Sequence, residues 1–428
     1  MKDHTQTRRT IIGAGGSALA GLLAGCIGFG PGANGAPEGA EDDTGSPESG
    51  SGSGSESESE DPPAVPDLPR VADPPDAVYV PTHREGMVHR PTVTAGDYAL
   101  SPMLTYPHRF WLVTGEQPTA VEPESGRGVH LMVTLWDRET GRVLPTDAGA
   151  ELRVLHEGTV VDRRAPWPMI SQSMGFHFGD NVPLPEDGTY TVEMALNPIT
   201  TRRTGGFAGR FEEPVTARFE FEYDEAFRTE VVDGVEYLDE AVWGQRGALE
   251  PMEHGQHGSD MDGSDGAGHD GHDEESSQDG HGNGMTGDHD MPYSALAPAD
   301  AYPGRVLGEP ESGDATFVVR YLENSRLAAA AGPSSESTPA DGYLLVSPRT
   351  PYNRVPLADM ALSVEGALEA RLEQTLDDAM GLHYGTAADL SAGETVTIVV
   401  ESPPQVARHA GYETAFLDMP PMELVVPE

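Results

Sequence analysis

Cysteine and lysine are almost absent from this chain. It has one cysteine, Cys26, and one lysine, Lys2, in 428 residues. A single cysteine excludes an intramolecular disulfide, an iron–sulfur cluster and a cysteine-ligated structural zinc site. The sequence also lacks a glycine-rich phosphate loop, a Gly-x-Ser-x-Gly elbow and a dinucleotide-binding fingerprint, so we expect no enzymatic activity.

Basic residues are also few compared with acidic ones. The 26 basic residues stand against 71 acidic ones, and the formal net charge is −45. This balance excludes nucleic-acid binding through a basic surface, because phosphate contacts need Lys and Arg. At about 1 M salt the Debye length falls to about 3 Å, which screens the self-repulsion of so many carboxylates. We therefore expect a protein of an extreme halophile.

The N-terminus predicts export and lipid anchoring. Arg8 and Arg9 precede an apolar run at 11–24, and Leu-Ala-Gly leads into Cys26 like a lipobox. A twin-arginine pair before a short apolar stretch is typical of an export signal, and the run is too short to be a stable membrane span. We expect residues 1–25 to be removed and lipid on Cys26 to hold the protein outside the cytoplasmic membrane.

Composition divides the rest of the chain into four segments. Residues 26–75 and 251–294 are poor in apolar groups, which predicts a disordered acidic tether and a disordered linker rich in His, Asp, Gly and Met. Residues 76–250 and 295–428 contain short alternating apolar runs bounded by turn residues. These runs predict an all-β fold of two immunoglobulin-like β-sandwich domains. The window 367–380 differs, because its residues also suit a short helix.

The two predicted domains resemble each other. Residues 174–198 align without a gap to residues 380–404, and eight of the 25 positions are identical. We interpret the chain as a diverged internal duplication. Both copies keep Met-Gly-x-His-x-Gly before a strand, and therefore Met174, Met380 and His383 are secondary candidates for metal ligation.

Thioether and imidazole groups concentrate in the first copy. His130 and Met132 are two residues apart in an alternating strand, so their side chains share one face. Met169 precedes His177 by eight residues. Methionine and histidine suit copper, and histidine also suits iron, zinc and nickel. The predicted metal ligands of this copy are His130, Met132, Met169 and His177. The alternative is that the histidines hydrogen-bond within turns and the methionines fill the core.

This pattern resembles the periplasmic iron-transport proteins that accompany high-affinity iron permeases, small immunoglobulin-like proteins that bind copper. Residues 130–133, His-Leu-Met-Val, are similar to the family's His-Leu-Glu-Ala strand. Pro168-Met169 and the Gly-Phe-His-Phe-Gly of 175–179 are similar to its Pro-Met and Gly-Pro-His-Tyr-Gly. The family's later Arg-His occurs only in the second copy, as Arg408-His409.

The resemblance implies a protein that captures copper or iron and passes the ion to a membrane permease. In that family the protein is a homodimer, and the later histidine reaches the partner's site. Here His409 would complete the site of the first copy within one chain, as an intramolecular pseudo-dimer. An independent, surface-exposed His409 is an equal alternative. A surface scaffold or adhesion protein without a tight metal site is the rival class, and a copper oxidoreductase is disfavoured because no catalytic base is evident.

Other histidines fall into two groups. Six lie in the linker and predict weak metal capture: His254, His257, His269, His272, His281 and His289. Incidental histidines in an acidic linker are the alternative. His83, Met87 and His89 form a weaker soft cluster, and we assign His108 a structural role. Because imidazole ligates only when neutral, we expect metal binding to weaken as the pH falls through about 6 to 7.

Overall fold

The computed structural model of the protein describes residues 66, 68–252, 291–331 and 340–428. The predicted signal at 1–25, the lipidation of Cys26 and the six linker histidines lie outside the described residues. Within those residues, no helix combines the length and the apolar character needed to span a membrane.

Strands make up 46% of the described chain and helices only 7%, which confirms the predicted all-β fold. The strands before the linker are β1 His83–Arg84, β2 Val88–His89, β3 Val93–Ala95, β4 Tyr98–Thr105, β5 Phe110–Thr114, β6 Gln117–Val121, β7 Gly128–Asp137, β8 Glu151–His156, β9 Thr159–Arg164, β10 Trp167–Ser171, β11 Gly175–Pro183, β12 Gly188–Leu196, β13 Arg202–Thr204, β14 Val215–Tyr223 and β15 Glu236–Tyr237. Those after it are β16 Arg305–Gly308, β17 Glu311–Ser312, β18 Ala315–Leu322, β19 Gly342–Arg349, β20 Ala361–Gly366, β21 Ala370–Asp377, β22 Gly381–Ala388, β23 Thr395–Ser402, β24 Ala407–Arg408 and β25 Met422–Val425. The helices are α1 Glu225–Asp233 and α2 Arg326–Ala331, with short 3-10 turns at Gly205–Phe207, Glu240–Val242 and Ala299–Ala301.

The first half packs a large sheet against a small one. The large sheet has the order β2-β4-β7-β11-β10-β24-β5-β6, with β3 beside β4, and the small one has the order β14-β12-β8-β9. Side chains alternate along a strand. On β7 this alternation sends Leu131 and Val133 into the hydrophobic core and leaves His130 and Met132 on the opposite face.

The second half forms a ten-stranded sheet, and each half contributes a strand to the other. The order is β16-β18-β19-β22-β21-β20-β23-β25, with β17 beside β18 and β13 of the first half beside β21. In return, β24 of the second half lies between β10 and β5 of the first. The amide of His409, which follows β24, donates to the Ile170 carbonyl. This exchange places His409 on the sheet that carries His130.

Residues 367–380 contain a strand where the sequence suggested a short helix. Residues 370–377 form β21, and the proposed short helix is wrong. The strand pairs with β20, β22 and β13 and buries Leu372 and Leu376. Pairing on both edges overrides the helix propensity of its Ala, Leu and Glu residues.

Residues at the ends of the predicted tether and linker contact the fold. Leu68 packs against the core, and the hydroxyl of Thr82 donates to the Pro69 carbonyl at 2.8 Å. Near the end of the predicted linker, the amide of Phe176 donates to Ser294 Oγ at 2.8 Å. The contact of Ser294 places the end of the linker next to β11, the strand that carries His177.

Candidate metal centre

Imidazole and thioether side chains share one face of the large sheet. His130 on β7 pairs with Asn181 on β11, and Met169 on β10 pairs with His177 on β11. Directly paired residues of an antiparallel ladder point to the same side. Because Asn181 and His177 are four residues apart on one strand, all these side chains project from the face opposite the core.

Four histidines meet on this face. They are His108, His130, His177 and His409, and none is more than 7% exposed. His409 Nε2 lies 3.2 Å from His177 Nε2, and His409 Nδ1 lies 3.3 Å from His108 Nε2. The nitrogens of His108, His130 and His409 that could ligate a metal lie within 4.8 Å of one another. The structure thus brings three predicted residues together and adds His108, for which the sequence suggested only a structural role.

Met169 reaches the same space because residue 179 is a glycine. A Cβ atom at Gly179 would lie 2.8 Å from Met169 Sδ and 3.1 Å from His130 Nε2. A side chain at this position would force Met169 to shift and would crowd the His130 ring. Gly179 therefore leaves room for a thioether and an imidazole to face each other.

Carbonyl groups fix the tautomers of two rings. His177 Nδ1 lies 3.2 Å from the Gly175 carbonyl oxygen, and His108 Nδ1 lies 3.2 Å from the Tyr106 carbonyl oxygen. A carbonyl only accepts, so each Nδ1 carries the proton and each Nε2 keeps its lone pair. Both lone pairs point toward His409. Metal-binding histidines are oriented in this way by the hydrogen bond of their other nitrogen.

Asn181 fixes the tautomer of His130. Its Nδ2 donates to the His108 carbonyl at 2.8 Å, and its Oδ1 accepts from the His108 amide at 3.2 Å. Oδ1 is therefore the atom that accepts from His130 Nδ1 at 2.9 Å. His130 Nε2 keeps its lone pair, is buried, and has no hydrogen-bond partner within the described part of the chain. A buried acceptor without a partner is costly, and a metal ion would satisfy it.

His409 cannot satisfy both of its neighbours as a neutral ring. His108 Nε2 and His177 Nε2 each present a lone pair to one of its nitrogens, and neutral imidazole has a single N–H. One of the two contacts must then bring two lone pairs together. A second proton is disfavoured, because burial and the adjacent histidines hold the pKa of His409 well below its ordinary value. A cation bound at one nitrogen of His409 removes the conflict, because the other nitrogen then carries the N–H and donates it to the remaining neighbour.

Burial shifts the expected pH dependence. It lowers the pKa of His177 to about 4 and lowers those of His108, His130 and His409. We expect metal affinity to stay nearly constant from pH 7 to about 5 and to fall towards pH 4, below the window of 6 to 7 set by ordinary imidazoles. Titrations with metal at fixed pH values test this, and a steep loss between pH 7 and 6 would contradict it. Since the unfolded chain binds protons at these histidines at a higher pH than the folded chain does, stability of the metal-free protein should also fall as the pH drops below about 6.5.

Met132 and Met174 lie beside the four histidines. A narrow gap in the structure is lined by Met132 and Met174 together with His108 and His409. Met174 follows a turn in which its amide donates to Ser171 Oγ at 3.1 Å. Both methionines therefore adjoin His108 and His409, whereas Met169 approaches His130 at Gly179.

The corresponding place in the second half has a different set of side chains. Equivalent positions follow from the strand registers, in which Thr375 pairs with His383 as Met169 pairs with His177. The residues that replace His130, Met169 and His177 are Tyr343, Thr375 and His383. Met380 is half-buried, and its carbonyl accepts from the Tyr302 hydroxyl at 3.0 Å. The structure does not bring Met380 or His383 to the four histidines.

An arginine from the first half fills that place. Arg202 Nη2 donates to the Tyr343 hydroxyl and Arg202 Nε to Thr375 Oγ1, both at 2.8 Å. His383 Nε2 lies 3.3 Å from the same hydroxyl. A guanidinium is always charged, so a metal cation next to it would be repelled. The second half holds a fixed cation where the first half converges four imidazoles.

Comparisons with known proteins cover parts of the chain. Residues 300–425 match a family described as a domain of unknown function (DUF7350). No curated protein matches the chain. Among solved structures, the chain is similar to a copper-bound variant of FetP from uropathogenic Escherichia coli, with 21% identity and a TM-score of 0.25 over 32% of this chain and 97% of that one. The as-isolated FetP gives 21% identity and a TM-score of 0.24, over 32% of this chain and 96% of that one.

Proposed function

We propose that the protein is an exported, lipid-anchored copper-binding protein that captures the ion at the four histidines and Met169 and passes it to a membrane permease for copper or iron. The observation that carries the proposal is the conflict at His409, which a bound cation resolves. The Nε2 lone pairs of His108, His130 and His177 and the thioether of Met169 form a soft to borderline ligand set, which favours copper. Iron usually takes carboxylate ligands alongside histidine, and the ligand set proposed here contains none.

Metal titration of the metal-free protein tests the proposal. Cu(I), Cu(II), Fe(II) and Zn(II) are added separately in competition with chelators, and the metal content of protein purified without chelator is measured. We expect copper to bind most tightly. Absence of tight binding of any of the four ions would overturn the proposal and favour a surface scaffold or adhesion protein.

Lipid on Cys26 predicts where the protein is found. We expect the wild type to partition with membranes and Cys26→Ala to be released, because the acyl chains supply the binding free energy. Fractionation of cells followed by mass spectrometry of the N-terminal peptide checks this. A soluble wild type with an unprocessed N-terminus would contradict the anchor.

The linker predicts a second, weaker class of metal binding. Deleting residues 255–290 should lower the total metal bound and leave the tight copper affinity unchanged, because the four histidines lie elsewhere in the chain. Equilibrium dialysis with copper measures both quantities. A Gly/Ser segment of equal length is the control for chain connectivity. If the deletion removes the tight site, the separation into two classes is wrong.

A further inference from the structure

Six methionines gather beside the four histidines. They form a small cluster with Ala99, Trp136 and Val143, and they are Met87, Met103, Met132, Met174, Met252 and Met291. The cluster has no leucine or isoleucine among the described residues, whereas the much larger main core contains only four methionines. Ordinary cores are filled mainly by Leu, Ile and Val. So high a share of thioethers is unusual for packing alone.

The cluster is assembled by tertiary contacts. Met103 pairs directly with Met132 across β4 and β7. Met174 follows β10, while Met252 and Met291 precede and follow residues 253–290. The amide of Met252 donates to the Ser173 carbonyl at 3.1 Å, and Met291 is 6% exposed. Methionines that are far apart in the sequence thus converge next to one sheet face.

Three of these methionines line a narrow gap together with two of the four histidines. The lining of this gap includes Met87, Met132 and Met174 together with His108, His409 and Glu85. Met132 also lies two residues from His130 on the same face of β7. A soft ion among the thioethers would lie next to the imidazoles, and Glu85 would supply a negative charge that the neutral sulfurs lack.

We propose that Met87, Met132 and Met174 form a second metal site, a thioether site for Cu(I), that adjoins the four histidines. Thioethers are soft ligands that select Cu(I) over Zn(II), Fe(II) and Mg(II). Methionine side chains are flexible enough to close around an ion. The proposal rests on the proposed copper function, because a Cu(I) site here has a use only beside a site that takes up copper.

Silver(I) titration of the full chain tests the site, with Ag(I) as a redox-inert probe for Cu(I). The methionine methyl groups are labelled with carbon-13 and followed by NMR, and Met→Leu variants assign the signals. We expect the signals of Met87, Met132 and Met174 to shift, and those of Met194 and Met419 in the main core to stay in place. Unmoved signals for the three methionines would overturn the proposal.

Substitutions separate the two sites. Met87→Leu combined with Met174→Leu keeps side-chain volume, and it should weaken Ag(I) binding at the thioether site about tenfold or more. Met194→Leu is the matched control and should change nothing.

In a His177→Ala, His409→Ala double variant the methyl shifts should persist. If they vanish with the histidines, the methionines belong to one common site and the proposal is wrong. Failure of the proposed copper function would be distinct, since the histidine ring signals of the wild type would then not respond to copper.

Discussion

His409→Ala is expected to weaken copper binding about a hundredfold or more, as strongly as His177→Ala. His409 contacts His108 and His177 through its two nitrogens, and loss of one ligand from a small set costs at least as much as loss of an outer-shell partner. Competition with a chelator of known affinity measures the change. His409 comes from the second half of the chain, so this result would show that the halves share one site.

The duplication supplies a matched control. His383 is the counterpart of His177, is equally buried and has a pKa lowered to about 4 by burial. Its neighbour Arg202 excludes a metal, so His383→Ala should leave copper affinity unchanged. Copper at a thousandfold excess over its dissociation constant should stabilise the wild type by about 4 kcal/mol. His409→Ala should lose most of that stabilisation. Wild-type affinity in His409→Ala would mean that the first half binds copper alone.

Arg408→Ala is expected to destabilise the protein by about 3 kcal/mol or more and to weaken copper binding about tenfold. Arg408 is fully buried and donates to the carbonyls of Tyr412 and Pro404 at 3.3 Å and to that of Ala415. Truncation leaves these acceptors without their donor and opens a cavity. It also loosens the segment that holds His409, which is why affinity should fall together with stability.

Arg203 provides the comparison for Arg408. It pairs with Leu376 on β21 as Arg408 pairs with Ile170 on β10, but it is only half-buried. Arg203→Ala should cost less stability and leave copper affinity unaltered. Chemical denaturation without metal and chelator competition measure the two effects separately. Equal losses in both variants would show that Arg408 has no particular role in holding His409.

Sequence alternation was sufficient to predict the local part of the candidate centre. His130 and Met132 were assigned to one face because their spacing fits a strand, and the structure places both on the face away from the core. The family resemblance, combined with the internal duplication, suggested that His409 could complete the site of the first copy. The shared face of His130 and Met132 could be predicted because the side-chain period of a strand is a local property of the sequence.

Pairing of strands that are distant in the sequence decided which residues of the centre come together. No local pattern reveals that β24 enters the sheet of the first half, which brings His409 against His177 across 232 residues of sequence. The same holds for His108, whose role follows from Thr105 pairing with His130. Arg202 likewise fills the second place only because β13 crosses to β21. The sequence by itself determined the all-β class and the ligand types, whereas tertiary structure determined which imidazoles meet, because strand partners are selected by packing of the whole core.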